Sequence, residues 1–327
     1  MITSFILLLV VIVLAMIIDE TIGDPDTVYR RVPHPVVLMG RMIGLLDGWW
    51  NRATSSPPTK IIAGAAAVFI VVGISGTIGI AIHKILSSFA FGWVAEAVIM
   101  SIFIARHSLA QHVTNVREAL STPDLQVAQE AVAKIVGRDT AEMTEEDISA
   151  SAIESLSENF SDGVVAPVFW AVLLGLPGII AYKALNTADS MIGYRSEKYL
   201  HFGSVAAKAD DIANFIPARI SGFLICFAAL FVKHGKAKEG WRVLRADASR
   251  HRSVNAGFPE AAMAGVLNIR ISGPRSYEGV LTDEPWIGDG SRPTQGDLQR
   301  GLDMFGMAAS ILCASIVALA GILYFIS

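Results

Sequence analysis

The chain has 327 residues, of which 53% are hydrophobic and only 17% charged, and its formal net charge is −4. Soluble domains usually carry about a quarter charged residues, so this composition favours an integral membrane protein. A mildly acidic chain lacks the basic surface that nucleic acids require, and we expect no nucleic acid partner. The two cysteines, Cys226 and Cys313, lie in apolar runs, which indicates neither a disulfide nor a zinc site.

Long runs with few or no charges predict the membrane helices in chain order. They are Ile2–Ile18, Ile61–Ile82, Ile85–Ala105, Gly163–Tyr182, Ile212–Val232 and Met304–Ser327. Each run is close to or within the roughly 17–25 residues that cross a bilayer, and the charges inside these runs are Glu96 and Arg219. We therefore predict an all-α, polytopic integral membrane protein with about four to six membrane helices, in a single domain over residues 1–327.

Positive charges set the predicted orientation. Segment 234–305 holds ten Lys and Arg residues, more than any other segment between the runs, and we place it in the cytoplasm. If the N-terminus lies outside the cytoplasm, segments 19–60 and 106–162 lie in the cytoplasm as well. The main cytoplasmic segments are thus predicted at 19–60, 106–162 and 234–303. We expect a multi-pass protein of the cytoplasmic (inner) membrane whose active site faces the cytoplasm.

One difficulty concerns residues 183–212, which lie outside if Gly163–Tyr182 and Ile212–Val232 both span the membrane. Both segments contain Pro and Gly residues. Broken helices are tolerated at membrane depth where they line a protein cavity. We hypothesise that both segments are re-entrant, so that all polar clusters face one cytoplasmic chamber. Six ordinary spans are the alternative.

Acidic and amide side chains gather on both sides of the uncharged run 163–182. Glu154, Glu158 and Asp162 are four residues apart, so a helix places them on nearly one stripe. Asn186 and Asp189 are three residues apart and share a helical face. Their oxygens are the ligands that hold Mg²⁺ and, through it, phosphates. An exposed acidic stripe and a turn beginning at Asn186 are the alternatives.

Two later groups extend this chemistry. The group Asp210-Asp211-x-x-Asn214 repeats the ligand pattern, and Arg219, deep in an apolar run, needs a charged partner. An internal salt bridge is the alternative here. The group Arg250-His251-Arg252 precedes a helix predicted at Glu260–Leu267, a position that suits phosphate or carboxylate binding. A solvated basic loop is the alternative for this group.

Several longer motifs resemble one known family. They are Gly23-Asp24-Pro25 with His34-Pro35, Gly137-Arg138-Asp139, Glu158-Asn159-x-x-Asp162-Gly163, Lys183-Ala184-x-Asn186-Thr187-x-Asp189, Asp210-Asp211-x-x-Asn214-x-x-Pro217-Ala218-Arg219 and Asn255-Ala256-Gly257-x-Pro259-Glu260. Together they resemble the adenosylcobinamide-phosphate synthase family of cobalamin biosynthesis (CobD/CbiB). The likeness covers most of the chain. One departure is Val254, which stands where a Pro is expected.

The resemblance implies an integral membrane enzyme that joins (R)-1-aminopropan-2-ol, or its O-phosphate, to a propionate of adenosylcobyric acid. The product is adenosylcobinamide or its phosphate, and the reaction needs ATP and Mg²⁺. A carboxylate and an ammonium do not condense near neutral pH, so we expect phosphoryl transfer to make an acyl phosphate that a neutral amine attacks. The expected partners are the corrinoid, the amine, membrane lipid and other enzymes of the cobalamin pathway.

We hypothesise a role for each polar residue in this chemistry. The metal ligands are Asp162, Asp189, Asp210 and Asp211. The substrate- or nucleotide-binding residues are Asp24, His34, Asn159, Asn186, Asn214, Arg250, Asn255 and Glu260. The catalytic residues are Glu158 or His251 as the base, with Lys183 and Arg219 neutralising phosphate. Two rivals remain: a Mg²⁺-dependent membrane transferase of prenyl or phosphoalcohol groups, and an ion-coupled transporter with Glu96 and Arg219 along its path.

Overall fold

The computed structural model describes residues 2–277 and 280–327, which are mostly helical. The helices are α1 (Ile2–Ile22), α2 (Asp26–Tyr29), α3 (Pro35–Trp50), α4 (Pro57–Leu86), α5 (Gly92–Ser101), α6 (Arg106–Leu120), α7 (Leu125–Val132), α8 (Glu145–Phe160), α9 (Ala166–Ile192), α10 (Ser204–Ala228), α11 (Ala237–Asp247), α12 (Gly257–Leu267) and α13 (Gln295–Ile326). A π-helical turn, Ser161–Val165, joins α8 to α9, and a 3₁₀ turn, Ala248–Arg250, follows α11.

The strands described are short. Strand β1 (Ile271–Ser272) pairs antiparallel with β4 (Trp286–Ile287), and β2 (Arg275–Tyr277) pairs antiparallel with β3 (Val280–Thr282). With so little sheet, the predicted all-α fold is confirmed.

Six stretches of the described chain are long and apolar enough to cross a membrane. They are Ile2–Ile22, Pro57–Leu86, Gly92–Leu120, Glu145–Ile192, Ser204–Ala228 and Gln295–Ile326. The predicted multi-pass membrane protein is thereby confirmed. The predicted run Ile85–Ala105 is not one helix, because α4 continues to Leu86 and a turn separates it from α5.

The chain forms two compact units. Unit one comprises Met1–Ala105, Ala166–Asn214 and Leu319–Ser327, and unit two comprises Arg106–Val165 and Phe215–Ala318. The division falls within α10 and α13. The single domain over residues 1–327 stays a prediction.

In unit one, α9 folds back on itself at Gly175. This glycine has φ 66° and ψ −151°, a backbone conformation that L side chains rarely adopt. Ala166 packs in one cluster with Tyr182, and a Cβ on Gly178 would lie 2.4 Å from the carbonyl oxygen of Trp170. In a straight helix these pairs would be about 24 Å and 12 Å apart. The two arms of α9 therefore form an antiparallel helical hairpin.

The second arm of α9 packs antiparallel to α4. A Cβ on Gly79 would lie 2.7 Å from Cα of Pro177, and one on Gly76 would lie 3.7 Å from the Cβ of Ala181. Residue numbers decrease along α4 as they increase along α9, so the C-terminal end of α9 lies near the first turns of α4. There a Cβ on Gly64 would meet the carbonyl oxygen of Phe202, at 1.8 Å.

Residues 193–203 thus lie on the side of unit one from which α4 begins. This return is the geometry that the re-entrant hypothesis requires for Gly163–Tyr182, and it differs from an ordinary single span. Helix α10, by contrast, runs without a fold-back from Ser204 to Ala228 despite Pro217. The hypothesis therefore finds geometric support for the first segment and none for the second.

In unit two, α8 is largely buried. Thr144 and Asp147 form a capping box at its start, each side chain accepting from the other residue's backbone N–H. Ile153, Leu156 and Phe160 are fully buried, and the ring of Phe160 meets that of Phe305 edge-on at 5.5 Å. α8 packs against α6, α7 and α12.

Candidate functional site

A buried hydrogen-bond network in unit one surrounds the Asp210 carboxylate. Tyr182 Oη donates to Asn214 Oδ1 at 2.8 Å, and Asn214 Nδ2 donates to Asp210 Oδ2 at 2.8 Å. Asn186 Nδ2 donates to Asp210 Oδ1 at 3.4 Å. Asp210 is 7% exposed and Asn214 is 1% exposed. Both oxygens of a buried carboxylate are therefore held in place by amide groups.

Helix geometry explains why these residues meet. Tyr182 and Asn186 are four residues apart on the second arm of α9, and Asp210 and Asn214 are four apart on α10, so each pair lies on one helical face. The two faces pack antiparallel, with Tyr182 opposite Asn214 and Asn186 opposite Asp210. The sequence prediction that Asn186, Asp210 and Asn214 act together is consistent with this arrangement.

Two further carboxylates lie close to this network. Asp189 is within electrostatic range of both Asp210 and Asp211, and Arg195 interacts with Asp211. Like charges that share a half-buried space repel one another unless a cation or a proton is added. This part of unit one is therefore suited to a cation.

The donor set fits the protein's share of a Mg²⁺ site. Among the residues that the structure describes, no group of three or more His, Cys, Asp or Glu side chains is arranged to hold a metal ion by itself. Mg²⁺ usually binds through one or two carboxylates, with waters and substrate phosphates filling the other positions. Asp189 and Asp210 would supply the carboxylates. The amide oxygen of Asn186 would add a neutral ligand.

Asp24 and His34 also come together in unit one, as a pair 3.6 Å apart between Oδ1 and Nε2. Nδ1 of His34 accepts the N–H of Val36 at 3.2 Å and so caps α3. The rings of Tyr29 and His34 lie 4.6 Å apart. Burial, and then the charge and hydrogen bond of Asp24, raise the pKa of the Tyr29 hydroxyl, so that it stays protonated and donates to Asp24.

In unit two, the guanidinium of Arg219 lies between two aromatic rings. Its central carbon is 3.5 Å from the centre of the Phe215 ring and 4.0 Å from that of Phe258. It donates to Asn255 Oδ1 at 3.2 Å and to the carbonyl oxygens of Phe215 and Val254, at 2.7 Å and 3.4 Å. These partners are all neutral, so the described contacts do not support the alternative of an internal salt bridge. These contacts orient the guanidinium without neutralising its charge.

A second group in unit two contains two buried acids. Glu154 accepts from Arg138 Nη2 at 2.6 Å and from the backbone N–H of Ser272 at 2.7 Å. The hydroxyl of Ser272 donates to Glu260 at 3.4 Å, and His251 Nε2 lies 3.7 Å from the same carboxylate. Ser272 has φ 62°, a strained conformation for a residue with a side chain.

The predicted acidic stripe of α8 is wrong for Glu154. This carboxylate is 5% exposed and is occupied by Arg138 and Ser272, whereas Glu158, one turn later, is exposed. Asp162 lies in the π-helical turn, which adds a residue to the turn and breaks the even four-residue spacing. Asn159 donates to the carbonyl oxygen of Ser155 at 2.9 Å. The predicted roles of these residues stay predictions.

The remaining predicted residues are also placed. Lys183 is half-buried on α9, and its carbonyl oxygen accepts the hydroxyl of Thr187 at 2.6 Å. Arg250 is largely exposed and pairs with Asp247 at 3.0 Å. Helix α12 begins at Gly257, three residues before the predicted start at Glu260. The proposed binding roles of Lys183 and Arg250 rest on their charge alone.

Four residues of these groups were not predicted as site residues. Tyr182 ends an uncharged run and is spaced four residues before Asn186, a signal that the sequence does carry. Arg138 stood in a motif but without a partner. Tyr29 and Ser272 carry no pattern that points to their contacts, because both depend on how distant turns fold.

The fold and these groups define a class: a polytopic α-helical membrane protein with a buried acid–amide network and a clamped arginine. The family model described as CobD/Cbib protein matches residues 12–305, and the chain belongs to this family of cobalamin biosynthesis. The predicted family is thereby confirmed.

Several curated relatives match almost end to end. The cobalamin biosynthesis protein CobD of Sinorhizobium sp is 43% identical over 317 residues, covering 96% of this chain and 98% of that protein. The protein of the same name from Sinorhizobium fredii is 45% identical, covering 93% and 94%. That of Rhodobacter capsulatus is 40% identical, covering 94% and 96%. No solved structure matches.

Proposed function

We propose that this protein is the ATP-dependent ligase that forms an amide between a propionate of adenosylcobyric acid and (R)-1-aminopropan-2-ol or its O-phosphate. Membership of a family of cobalamin biosynthesis supports a corrinoid substrate. The observation that carries the chemistry is the buried Asp210 carboxylate, held by Asn186 and Asn214 beside Asp189. Such a group suits a nucleotide-bound Mg²⁺.

The reaction divides into two steps. The substrate carboxylate attacks the γ-phosphorus of ATP, giving an acyl phosphate and ADP, and the amine nitrogen then attacks the acyl carbon and releases phosphate. Bound Mg²⁺ would neutralise charge on the nucleotide phosphates. In this proposal Asp189 and Asp210 hold the metal, with Asp162 and Asp211 as the other candidate ligands.

The cationic residues would neutralise the transferring phosphoryl group. Arg219 is the strongest candidate of them, because its plane is fixed by Phe215 and Phe258 and its described partners are neutral. A planar guanidinium donates two parallel hydrogen bonds to a carboxylate or phosphate. Lys183 and Arg250 are the further candidates.

The amine must lose a proton before or during its attack. His251 is the stronger candidate for the base, since its ring lies 3.7 Å from the buried carboxylate of Glu260, which would stabilise an imidazolium. Its Nδ1 accepts the N–H of Ser253 at 3.0 Å, which fixes the ring. Glu158 is the alternative base.

We place the active site on the cytoplasmic side of the inner membrane, where ATP is present, with lipid around the helices and other cobalamin-pathway enzymes as partners. The fold-back of α9 supports this placement for residues 193–203, because it returns them to the side of unit one where α4 begins. A Ser196→Cys variant should react with a membrane-impermeant thiol reagent only after the cytoplasmic face is opened. Reaction in intact cells would contradict the placement.

The direct test uses detergent-solubilised protein with adenosylcobyric acid, either form of the amine, ATP and Mg²⁺. We expect an amide product by mass spectrometry and one ADP for each amide formed. Prenyl or phosphoalcohol transfer without ADP would favour the transferase, and substrate-independent ion flux in vesicles would favour the transporter. Glu96, the buried acid that the transporter hypothesis would place along an ion path, is hydrogen-bonded to His83 at 2.9 Å, as expected for a structural pair.

A further inference from the structure

We infer that Asp24, oriented by Tyr29 and His34, binds the ammonium group of the amine substrate. The inference rests on the proposed function and adds a separate subsite to it. The first observation is the state of the His34 ring. Its Nδ1 accepts the backbone N–H of Val36, so the proton of the neutral ring lies on Nε2, the nitrogen that faces Asp24 at 3.6 Å.

The second observation is the set of described partners of Asp24. The hydroxyl of Tyr29, which the raised pKa keeps protonated, donates to Asp24, and Nε2 of His34 lies 3.6 Å from its carboxylate. Arg30 and Arg31 follow Tyr29 in the sequence, but neither forms an ion pair with Asp24 among the described contacts. Asp24 is therefore a positioned anion, and its side chain is 34% exposed, enough to receive a ligand.

The third observation is where this carboxylate lies in unit one. α3 packs against α9, and a Cβ on Gly40 would lie 3.1 Å from Sδ of Met191. Further along, Lys198 forms an ion pair with Asp47 at 2.7 Å. Residue numbers therefore increase in the same direction along the two segments. His34 lies about 9 Å before Gly40 along this direction, and Asn186 lies about 7.5 Å before Met191. Asp24 and His34 are thus at the level of the Asn186–Asp189 turn.

The chemistry of the substrate matches this site. A primary aliphatic amine is an ammonium ion near pH 7, and a carboxylate that is oriented by a neutral donor binds such an ion by charge and hydrogen bonding. The metal-binding acids would be occupied by Mg²⁺, so the amine needs an anion of its own. The ammonium binds here, and its proton leaves in the base-assisted step proposed above.

The test compares Asp24→Asn and Asp24→Glu with the parent protein. Hydrogen bonds to charged groups contribute enough that we expect Asp24→Asn to raise the KM for the amine by at least about 30-fold, with the KM for ATP within about 2-fold. Asp24→Glu should restore part of the loss. Tyr29→Phe should give a smaller rise, of about 3- to 10-fold. Asp283→Asn, a change at an exposed loop carboxylate, is the control and should change neither KM.

Direct binding separates this inference from the proposed function. Calorimetric titration of the solubilised protein with 1-aminopropan-2-ol should give a signal that Asp24→Asn removes. Binding that depends on Asp24 without any amide product would uphold the subsite and overturn the ligase. Amide synthesis with an unchanged KM for the amine in Asp24→Asn, or an equal rise in KM for all substrates, would overturn the subsite.

Discussion

The Asp210 network of unit one and the Arg219 clamp of unit two hold opposite charges by the same means. Asp210 is fixed by two neutral amides, and Arg219 is fixed by two rings and neutral oxygens. Neither has a counter-ion among its described contacts. By contrast, Glu154 and Arg138 satisfy each other. A charge held only by neutral groups is explained best by an external partner of opposite sign, and at the buried Asp210 such a charge is also costly for stability.

The largest effect on turnover is expected from a change at the Asp210 carboxylate. Asp210→Asn keeps the shape of the side chain but removes its charge and places an amide next to the amides of Asn186 and Asn214. Turnover should fall by at least about 1,000-fold, because the metal loses a ligand. Steady-state assays of protein that is inserted normally in membranes check this. Asp283→Asn is the control, and turnover near that of the parent would remove Asp210 from the metal site.

The Glu154–Arg138 ion pair should behave differently from Asp210 and Arg219, because its two charges neutralise each other. Glu154→Gln leaves Arg138 buried without its partner, which should lower the free energy of unfolding by about 3 kcal/mol. Denaturation of the purified protein measures this loss. Replacing both residues together should recover part of it. A catalytic defect without loss of stability would show that Glu154 belongs with Asp210 instead.

The network depends on the α9 hairpin, so the turn is the next place to test. Gly175→Ala forces a side chain into φ 66°, at a cost of about 1–3 kcal/mol, which should lower the Tm in detergent by several degrees. Gly73→Ala is the matched control, since a Cβ there meets nothing within 4 Å. Equal Tm values for the two variants would contradict the hairpin.

At the clamped cation, Arg219→Lys retains the charge but loses the flat group between Phe215 and Phe258. We expect kcat/KM to fall by about 10-fold, because an ammonium cannot donate two parallel hydrogen bonds. Arg242→Lys, a change at an exposed pair with Asp289 and Glu239, should have no effect on kinetics. If both variants behave alike, the clamp has no special role.

The smallest effect concerns an ordinary pair at the surface. Hydrogen bonds to Asp47 and Tyr199 raise the pKa of the Lys198 ammonium. Its stabilising contribution is therefore full below the unfolded pKa of about 10.4 and is lost as the pH rises through the higher folded pKa. Lys198→Met should lower the Tm at pH 7 by at most about 2 °C. This difference should shrink as the pH rises through the raised pKa of Lys198, and a difference that grows with pH would contradict the pairing.

Helical spacing alone predicted much of the unit-one network. Asn186, Asp189, Asp210 and Asn214 are three or four residues apart, and that spacing survives in regular helices. The same argument failed for Glu154, because the spacing does not say which face of α8 is buried. The break at Gly175 was signalled by Gly and Pro, but its fold-back was not. The contacts of Ser272 depend on tertiary structure that no local pattern records.

The most direct test of the proposed ligase follows the oxygen atoms of the substrate carboxylate. Adenosylcobyric acid labelled with ¹⁸O in the reacting carboxylate is incubated with the amine, ATP, Mg²⁺ and the solubilised protein. Activation through an acyl phosphate predicts one ¹⁸O atom in each phosphate released with the amide product. Amide product with unlabelled phosphate, or phosphate release with no amide, would contradict it.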